Sequence, residues 1–355
     1  MKPLLTVALF FGGRSAEHEV SISSARAVYD NLDPARHRAV CIFIDKSGGW
    51  REVTSPHLTP AELGRGIFRP FLPWESDAAA APLKADVYWP VLHGPGGEDG
   101  TIQGLLEMAD VPCVGAGVLG SAVSMDKAVM KELFRAHGLP IVPHVVVGEP
   151  DVLRAPGVVV RKIRAALKLP LFVKPANLGS SVGITKVKSW AGLPPALATA
   201  FRYDRKLVIE QGLDCREFEC AVLGNDDPEA SVLGEVIPGN EFYDYADKYL
   251  EDKTGFIIPA ALPAALIARA RRLAVEAFQA CECSGMARLD FFLEKKSKRF
   301  AVNEINTIPG FTAISMYPKL WAASGMPFPA LVDRLIGLAL ERHRAKKRCF
   351  DRDEK

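Results

Sequence analysis

Arg288, Asp290, Glu304 and Asn306 carry the strongest chemical signal in the chain. In "ARLDFFLE" Arg288 and Asp290 stand two apart within an apolar run, and in "RFAVNEIN" Glu304 and Asn306 do the same. Residues two apart on a pleated strand share a face, so each pair aims at one spot. The short polar "KKSK" between the runs reads as a hairpin turn that sets the two strands side by side. Two carboxylates and an amide are hard oxygen donors that suit Mg²⁺, which commonly keeps phosphates in its shell. No Cys/His spacing offers zinc a better site. Arg288 beside these donors points to a place where metal and anion are handled together. The alternative is that Glu304 and Asn306 merely line the solvent face of an amphipathic strand.

"LFVKPANLGSSVGI" supplies a second pattern, with Lys174 ending an apolar strand and Gly179, Ser180, Ser181, Val182 and Gly183 following it. Glycines allow close backbone approach, consecutive N–H groups can form an anion-cradling nest, and the Ser180 and Ser181 hydroxyls add donors for phosphate. It is not the usual P-loop, because the lysine precedes the glycines, and "FGGRSAE" lacks the spaced glycines of a dinucleotide fingerprint. A loop with no ligand is the alternative. Lys127 in "SMDKAVMK" is a candidate second phosphate cation or an ordinary surface lysine, and Glu210 and Glu217 in "LVIEQGLDCREFECAV" could serve ribose hydroxyls.

The bulk composition narrows the class. At 355 residues the chain suits two or three domains, and a net charge of +2 argues against a general nucleic-acid binder. Seven cysteines without framework spacing read as reduced thiols, and the longest uncharged stretches fall short of a membrane span. "LLTVALFF" near the N-terminus leads into "GGRSAEHE", a strand-to-helix turn and not a signal-peptide cleavage site. A cytoplasmic protein without a membrane partner is expected.

The elements that must hold these residues alternate. "LLTVALFF", "AVCIFI" and "DVYWPVL" are short apolar runs separated by helix-compatible "AEHEVSISSARAVYDNL" and by "SDAAAAPLKA", a surface loop. This pattern predicts a parallel sheet with right-handed crossovers. One helix is expected around "SMDKAVMKELFRAHG", ending at Gly138, then a strand-rich, partly antiparallel stretch of "LFVKPA", "LVIEQGL", "EFECAVLG" and "SVLGEVI". The helix "PAALIARARRLAVEAFQAC", the two strands of the first paragraph and a final helix from about Pro327 follow, with "ERHRAKKRCFDRDEK" as a fraying charged end.

Together these pieces resemble the ATP-grasp superfamily and, within it, the D-alanine–D-alanine ligase family. The resemblance runs in order through "FFGGRSAEHEVSISSA", "VLHGPGGEDGTIQGLLE", "SMDKAVMK", "FVKPANLGSSVGI", "IEQGLDCREFECAVLGN", "EFYDYADKYL", "ARLDFFL" and "VNEINTIPGFTAISMYP". It implies an α/β fold with α+β elements in three domains: an open parallel α/β domain at 1–118, a central domain at 119–212, and a C-terminal domain at 213–355 with a lid loop at about 240–252.

The resemblance also implies roles. Lys127, Lys174 and Lys248 would contact ATP phosphates, Glu210 and Glu217 the base and ribose, and Asp290, Glu304 and Asn306 two Mg²⁺ ions, with Mn²⁺ as the alternative metal. Glu17 would take the ammonium of the first D-alanine with His93 nearby, and Ser315 with the Met316 backbone the carboxylate of the second. Arg288 and the Gly310 N–H would stabilise a tetrahedral oxyanion, and Tyr249 would bond Ser180 and Glu17 and close the lid. Without the resemblance Glu17 is a first-turn helix acid, His93 a loop residue and "EFYDYADKYL" a surface loop. ATP and D-alanine are the implied substrates, and a homodimer the implied assembly. Cys215 stands where the family usually has a small residue, and no chemistry is expected of it. Two rivals stay open: a D-alanyl-D-lactate enzyme, which the Tyr249 loop speaks against, and a catalytically silent nucleotide-binding module.

Overall fold

The computed structural model describes residues 4–68, 84–237 and 255–346. The first sheet forms where the sequence is most continuously apolar. Val7 to Phe11 of β1 (Leu5–Gly12) are fully buried, as a parallel strand covered on both faces requires. At Gly12, φ is +92° and an added Cβ would collide with the Ile44 carbonyl, so only glycine lets the chain leave the strand here and enter α1 (His18–Asp30). The chain continues through β2 (His37–Ile44), β3 (Trp50–Val53), α2 (Pro60–Leu63), β4 (Ile67–Phe68) and β5 (Val87–Pro90).

The sheet order is β4-β3-β2-β1-β5, and the expected parallel pairing holds for β2-β1-β5. The outer pairs are antiparallel, a departure from the sequence reading. Its cause is the Asp45–Gly49 turn: Asp45 Oδ1 accepts the N–H groups of Ser47 and Gly49 at 2.9 Å, and Gly48 sits at φ +94°. That closes β2 onto β3 as a hairpin, with no helix between them.

Next come α3 (Thr101–Met108), α4 (Val118–Met125) and α5 (Lys127–Ala136). The single helix expected around "SMDKAVMKELFRAHG" is two. Asp126 breaks it with an extended backbone and caps α5 by accepting from the N–H groups of Ala128 and Val129. The break puts Lys127 at the first turn of α5, where its N–H reaches the Ala176 carbonyl at 2.9 Å.

The second sheet is antiparallel throughout, in the order β6-β9-β7-β8. Its elements are β6 (His144–Gly148), α6 (Glu149–Arg154), α7 (Pro156–Ala166), β7 (Leu171–Pro175), β8 (Thr185–Val187), α8 (Leu193–Ala200) and β9 (Lys206–Gln211).

The third sheet collects β10 (Cys215–Gly224), β11 (Glu229–Ile237), β12 (Gly255–Ile257), β13 (Gly285–Glu294) and β14 (Phe300–Asn306), in the order β12-β11-β10-β13-β14. The helix α9 (Ala264–Ala280) covers one face, where Ala270, Ala274 and Ala277 let it approach Phe218, Phe291 and Val302. Two more helices, α10 (Met316–Ala323) and α11 (Phe328–Lys346), share one core with β1 and β5 of the first sheet. Sequence reading omitted α10. Its Tyr317 is fully buried and donates to the Val222 carbonyl at 3.0 Å, which ties the helix to β10.

Among the described residues the cysteines are free thiols, and no helix is long and apolar enough to cross a membrane. Most of "SDAAAAPLKA", the segment with Lys248 and Tyr249 that the resemblance makes a lid, and the chain after Lys346 lie outside the described residues.

Candidate active site

The hairpin of β13 and β14 is built as the spacing demanded. Arg288 pairs with Asn306, and Asp290 with Glu304. Between Asp290 and Phe291 the register jumps, leaving Asn303 as an extra residue on β14. The bulge changes which face is core. Phe300 and Val302 are buried at strand spacing, yet the next buried residue is Ile305, not Glu304. Without the extra residue Glu304 would point into the apolar core under α9.

Arg288 faces two carboxylates. Its Nε–H and Nη2–H donate to the two oxygens of Asp290 at 2.7 and 2.8 Å, and Oε2 of Glu219 lies 2.9 Å from Nε. Glu219 stands on β10 directly opposite Asp290 and is buried. Sequence reading missed it, although the Glu217-x-Glu219 spacing places both acids on one strand face.

The two candidate phosphate lysines converge from separate elements. Lys127 donates to the Leu178 carbonyl at 2.6 Å and lies 3.6 Å from Glu304 Oε2. Lys174 lies 2.7 Å from Glu210 Oε2 and donates to Asn303 Oδ1 at 3.5 Å. A third lysine was missed: Lys131, fully buried one turn after Lys127, sits 2.9 Å from Glu210 Oε1 and donates to the Asn303 carbonyl at 3.2 Å. Burial alone would raise the Glu210 carboxyl, but the Lys131 and Lys174 ammoniums outweigh it and hold the pKa down at about 2. The Lys174 ammonium is held above its ordinary range: burial opposes the charge, and Glu210 and Glu304 more than offset it.

The Gly-Ser loop is a tight turn in which the Val182 N–H donates to the Gly179 carbonyl at 3.1 Å. Ser180 and Ser181 adopt positive φ of 48° and 59°, followed by Gly183 at 73°. Two consecutive left-handed non-glycine residues are strained, and such strain clusters at ligand clamps. An added Cβ at Gly183 would come within 2.8 Å of Tyr203, so that ring backs the loop.

On the other side of this loop the Ser180 hydroxyl donates to Glu17 Oε1. Glu17 is buried at the start of α1, between the Gly94 and Gly179 backbones. His93 is buried with both ring nitrogens engaged: Nδ1 lies 3.0 Å from the Ile308 carbonyl and Nε2 3.0 Å from the Ser24 hydroxyl. The carbonyl requires Nδ1–H, so Nε2 accepts from Ser24, and burial lowers the pKa and keeps the ring neutral. Glu98, also overlooked in "HGPGGEDG", accepts the Gly94 N–H at 2.6 Å, and burial together with nearby Glu17 raises its carboxyl to about 8.

Gly310 and Ser315 complete the wall. A Cβ at Gly310 would lie 2.6 Å from Ser315 Oγ, so glycine alone leaves room beside that hydroxyl. Ser315 occupies the N-cap position of α10 without a side-chain cap bond, and the free N–H groups and dipole of this helix end favour a carboxylate there.

These groups line two adjacent spaces. A small cavity of about 110 Å³ holds Glu17, His93, Glu98, Arg288, Asn306, Gly310, Ser315 and Met316. A cleft of about 670 Å³, the size of a nucleotide site, holds Lys174, Ser181, Glu210, Glu217 and Asp290. Lys127, Gly179, Ser180, Glu219 and Glu304 line both, so the spaces meet at the loop and the hairpin.

A divalent ion fits this donor set. Asn306 Oδ1 is a buried oxygen with no hydrogen-bond partner among the described residues, and it lies beside the paired Asp290 and Glu304. Among the described residues no group of three or more His, Cys, Asp or Glu side chains could hold a metal, and an ion here would take the rest of its shell from water and substrate oxygens.

Comparison with known proteins agrees with this geometry. Family models described as D-ala D-ala ligase N-terminus and C-terminus match residues 6–116 and 133–337. The D-alanine–D-alanine ligase of Solibacter usitatus is 50% identical over 343 residues, covering 97% of this chain and 98% of that protein. The structure of the D-alanine–D-alanine ligase from Coxiella burnetii superposes with a TM-score of 0.85 at 40% identity, covering 97% of this chain and 96% of that one. The VanG D-Ala:D-Ser ligase from Enterococcus faecalis gives 0.84 at 34% identity, over 95% of this chain and 100% of that one. With both family halves matched in order on a three-sheet fold, the chain belongs to the D-alanine–D-alanine ligase family.

Proposed function

We propose that the chain joins two D-alanines into D-alanyl-D-alanine, with ATP going to ADP and phosphate, and so supplies peptidoglycan precursors. The observation that carries this reading is the meeting of a nucleotide-sized cleft and a small polar cavity at Lys127, Ser180 and Glu304. A γ-phosphate entering from the cleft would stop where an amino-acid carboxylate in the cavity could attack it.

Lys127 and Lys174 would bind ATP phosphates, with the Gly179–Gly183 loop and the Ser180 and Ser181 hydroxyls adding neutral donors. Glu217, in the cleft, would take the ribose; Glu210 would serve the base side once Lys174 turns to phosphate. Asp290, Glu304 and Asn306 would hold two Mg²⁺, or Mn²⁺, which when bound neutralise charge that develops on the phosphates. Glu17 would receive the first ammonium, with neutral His93 as its wall. The carboxylate of that D-alanine attacks the γ-phosphorus, ADP departs, and a D-alanyl phosphate remains.

The second D-alanine would set its carboxylate on Ser315 and the Met316 N–H at the start of α10. Its amine, after losing a proton, attacks the acyl carbon; the peptide bond forms and phosphate leaves. Arg288 and the Gly310 N–H would stabilise the oxyanion between these events. Lys248 on the phosphate, and Tyr249 bonding Ser180 and Glu17, would close the site in a lid. We further assign three domains at 1–118, 119–212 and 213–355, one around each sheet, a homodimeric assembly and a cytoplasmic location.

The test is phosphate release from MgATP with D-alanine, with D-lactate or D-serine as competing second substrates and with L-alanine, each product weighed by mass spectrometry. D-alanine alone should give the dipeptide, and L-alanine nothing. Depsipeptide or D-alanyl-D-serine as the main product at neutral pH would move the chain to another branch. ATP binding without turnover would leave a silent module.

A further inference from the structure

We propose that Glu219 is a positioning residue that keeps Arg288 in place while metal occupies Asp290. The proposal deepens the ligase reading and rests on it for the roles of Arg288 and Asp290.

The geometry sets a conflict. Asp290 gives both of its oxygens to the Arg288 guanidinium, at 2.7 and 2.8 Å. A metal at Asp290 would use a lone pair on at least one of them and, as a second cation on the same carboxylate, would weaken its hold on Arg288. The side chains of Arg288 and Asp290 are only 14% and 15% exposed, so a guanidinium that lost its partner would have little water to replace it. It would then either hold Asp290 back from the metal or swing away from the cavity.

Glu219 removes the conflict. Its Oε2 already lies 2.9 Å from Arg288 Nε, and the side chain is 7% exposed on the strand next to Asp290. Nε carries one proton, directed in this structure at Asp290 Oδ1. A small tilt of the planar group transfers that hydrogen bond to Glu219, with the ion pair in place before and after. Glu219 also adds a negative charge beside Asp290, which favours a cation there over the same site with a neutral residue at 219. Neither effect requires Glu219 to touch metal or substrate.

The test titrates Mn²⁺ into the full chain with saturating ADP, reading free Mn²⁺ by electron paramagnetic resonance. Wild type, Glu219→Gln and the charge-retaining Glu219→Asp are compared, with ADP affinity at saturating metal and Tm recorded alongside. Glu219→Gln should weaken Mn²⁺ by on the order of tenfold or more while ADP affinity at saturating Mn²⁺ stays near wild type. Glu219→Asp should recover most of that loss. Unchanged Mn²⁺ affinity in Glu219→Gln, whether or not Tm falls, overturns the proposal, since a purely structural residue would move Tm alone. Equal weakening in Glu219→Asp and Glu219→Gln also overturns it, because retained charge would then have no effect. The outcome is separable from the ligase reading: a wild type that binds Mn²⁺ with ADP but releases no D-alanine-dependent phosphate refutes the activity and leaves the Mn²⁺ comparison standing.

Discussion

The Ser180 hydroxyl donates to the Glu17 carboxylate across 163 residues of sequence, joining the first helix to the loop that follows Lys174. One hydrogen bond thus links the face of the site suited to an ammonium with the face suited to phosphate. Ser180→Ala should lower kcat/KM for D-alanine by roughly 10- to 100-fold, the worth of a hydrogen bond to a charged group, while ADP affinity changes little. Steady-state kinetics beside calorimetric ADP binding checks the split.

Arg288 lines the small cavity, and its removal leaves Glu219 and Asp290 facing each other. Arg288→Met should cut kcat on the order of 10²–10³-fold. It should also destabilise the fold by about 3–5 kcal/mol, because buried Glu219 and half-buried Asp290 lose their counter-ion. Arg288→Lys should restore stability better than rate, since an ammonium lacks the guanidinium's paired donors. Denaturant melts and single-turnover rates separate the two effects.

The buried Lys131–Glu210–Lys174 triad makes a pH prediction. Glu210 has its pKa lowered from 4.5 in the unfolded chain to about 2 in the fold. A depressed carboxyl stabilises the fold above its unfolded pKa, and that contribution is lost as pH falls from about 4.5 toward 2. Glu210→Gln should flatten this part of the stability–pH curve and cost about 3–5 kcal/mol near neutrality by leaving two lysines without their shared partner. Tm measured across that range in both proteins tests it.

Gly183 offers a backbone test. With φ at +73° and Tyr203 and Pro175 within 3 Å of an added Cβ, Gly183→Ala should strain the loop by about 1–2 kcal/mol or displace it. ATP affinity should fall by roughly tenfold and KM for D-alanine should barely change. Equal loss for both ligands would contradict the placement of this loop on the phosphate side.

Much of the site could be read from spacing because its key pairs are local. Arg288 with Asp290, and Glu304 with Asn306, need only the period-2 rule and a short turn. The partners that complete it could not be read that way. Glu219 and Glu98 meet Arg288 and Glu17 from other elements, and a charged residue on an amphipathic helix reads as exposed, which hid Lys131. The bulge at Asn303 left no mark in composition; its trace is the apolar spacing of Val302 and Ile305, three apart where a regular strand has two. Apolar runs marked most strands but not their grouping: the single strand-rich stretch from "LFVKPA" to "SVLGEVI" divides into β7 and β9 of the second sheet and β10 and β11 of the third. The antiparallel edge of the first sheet depended on one turn at Asp45, and the split of α4 from α5 on a single capping aspartate.

The central claim is that D-alanine is activated as an acyl phosphate where the two spaces meet, and oxygen isotopes test it most directly. D-alanine labelled with ¹⁸O in its carboxylate is turned over with unlabelled MgATP, and the released phosphate is weighed. The attacking oxygen should stay on phosphorus when the amine displaces phosphate, so each product phosphate should carry one ¹⁸O. Phosphate free of label, with all ¹⁸O kept in the dipeptide or in unreacted D-alanine, would contradict the account.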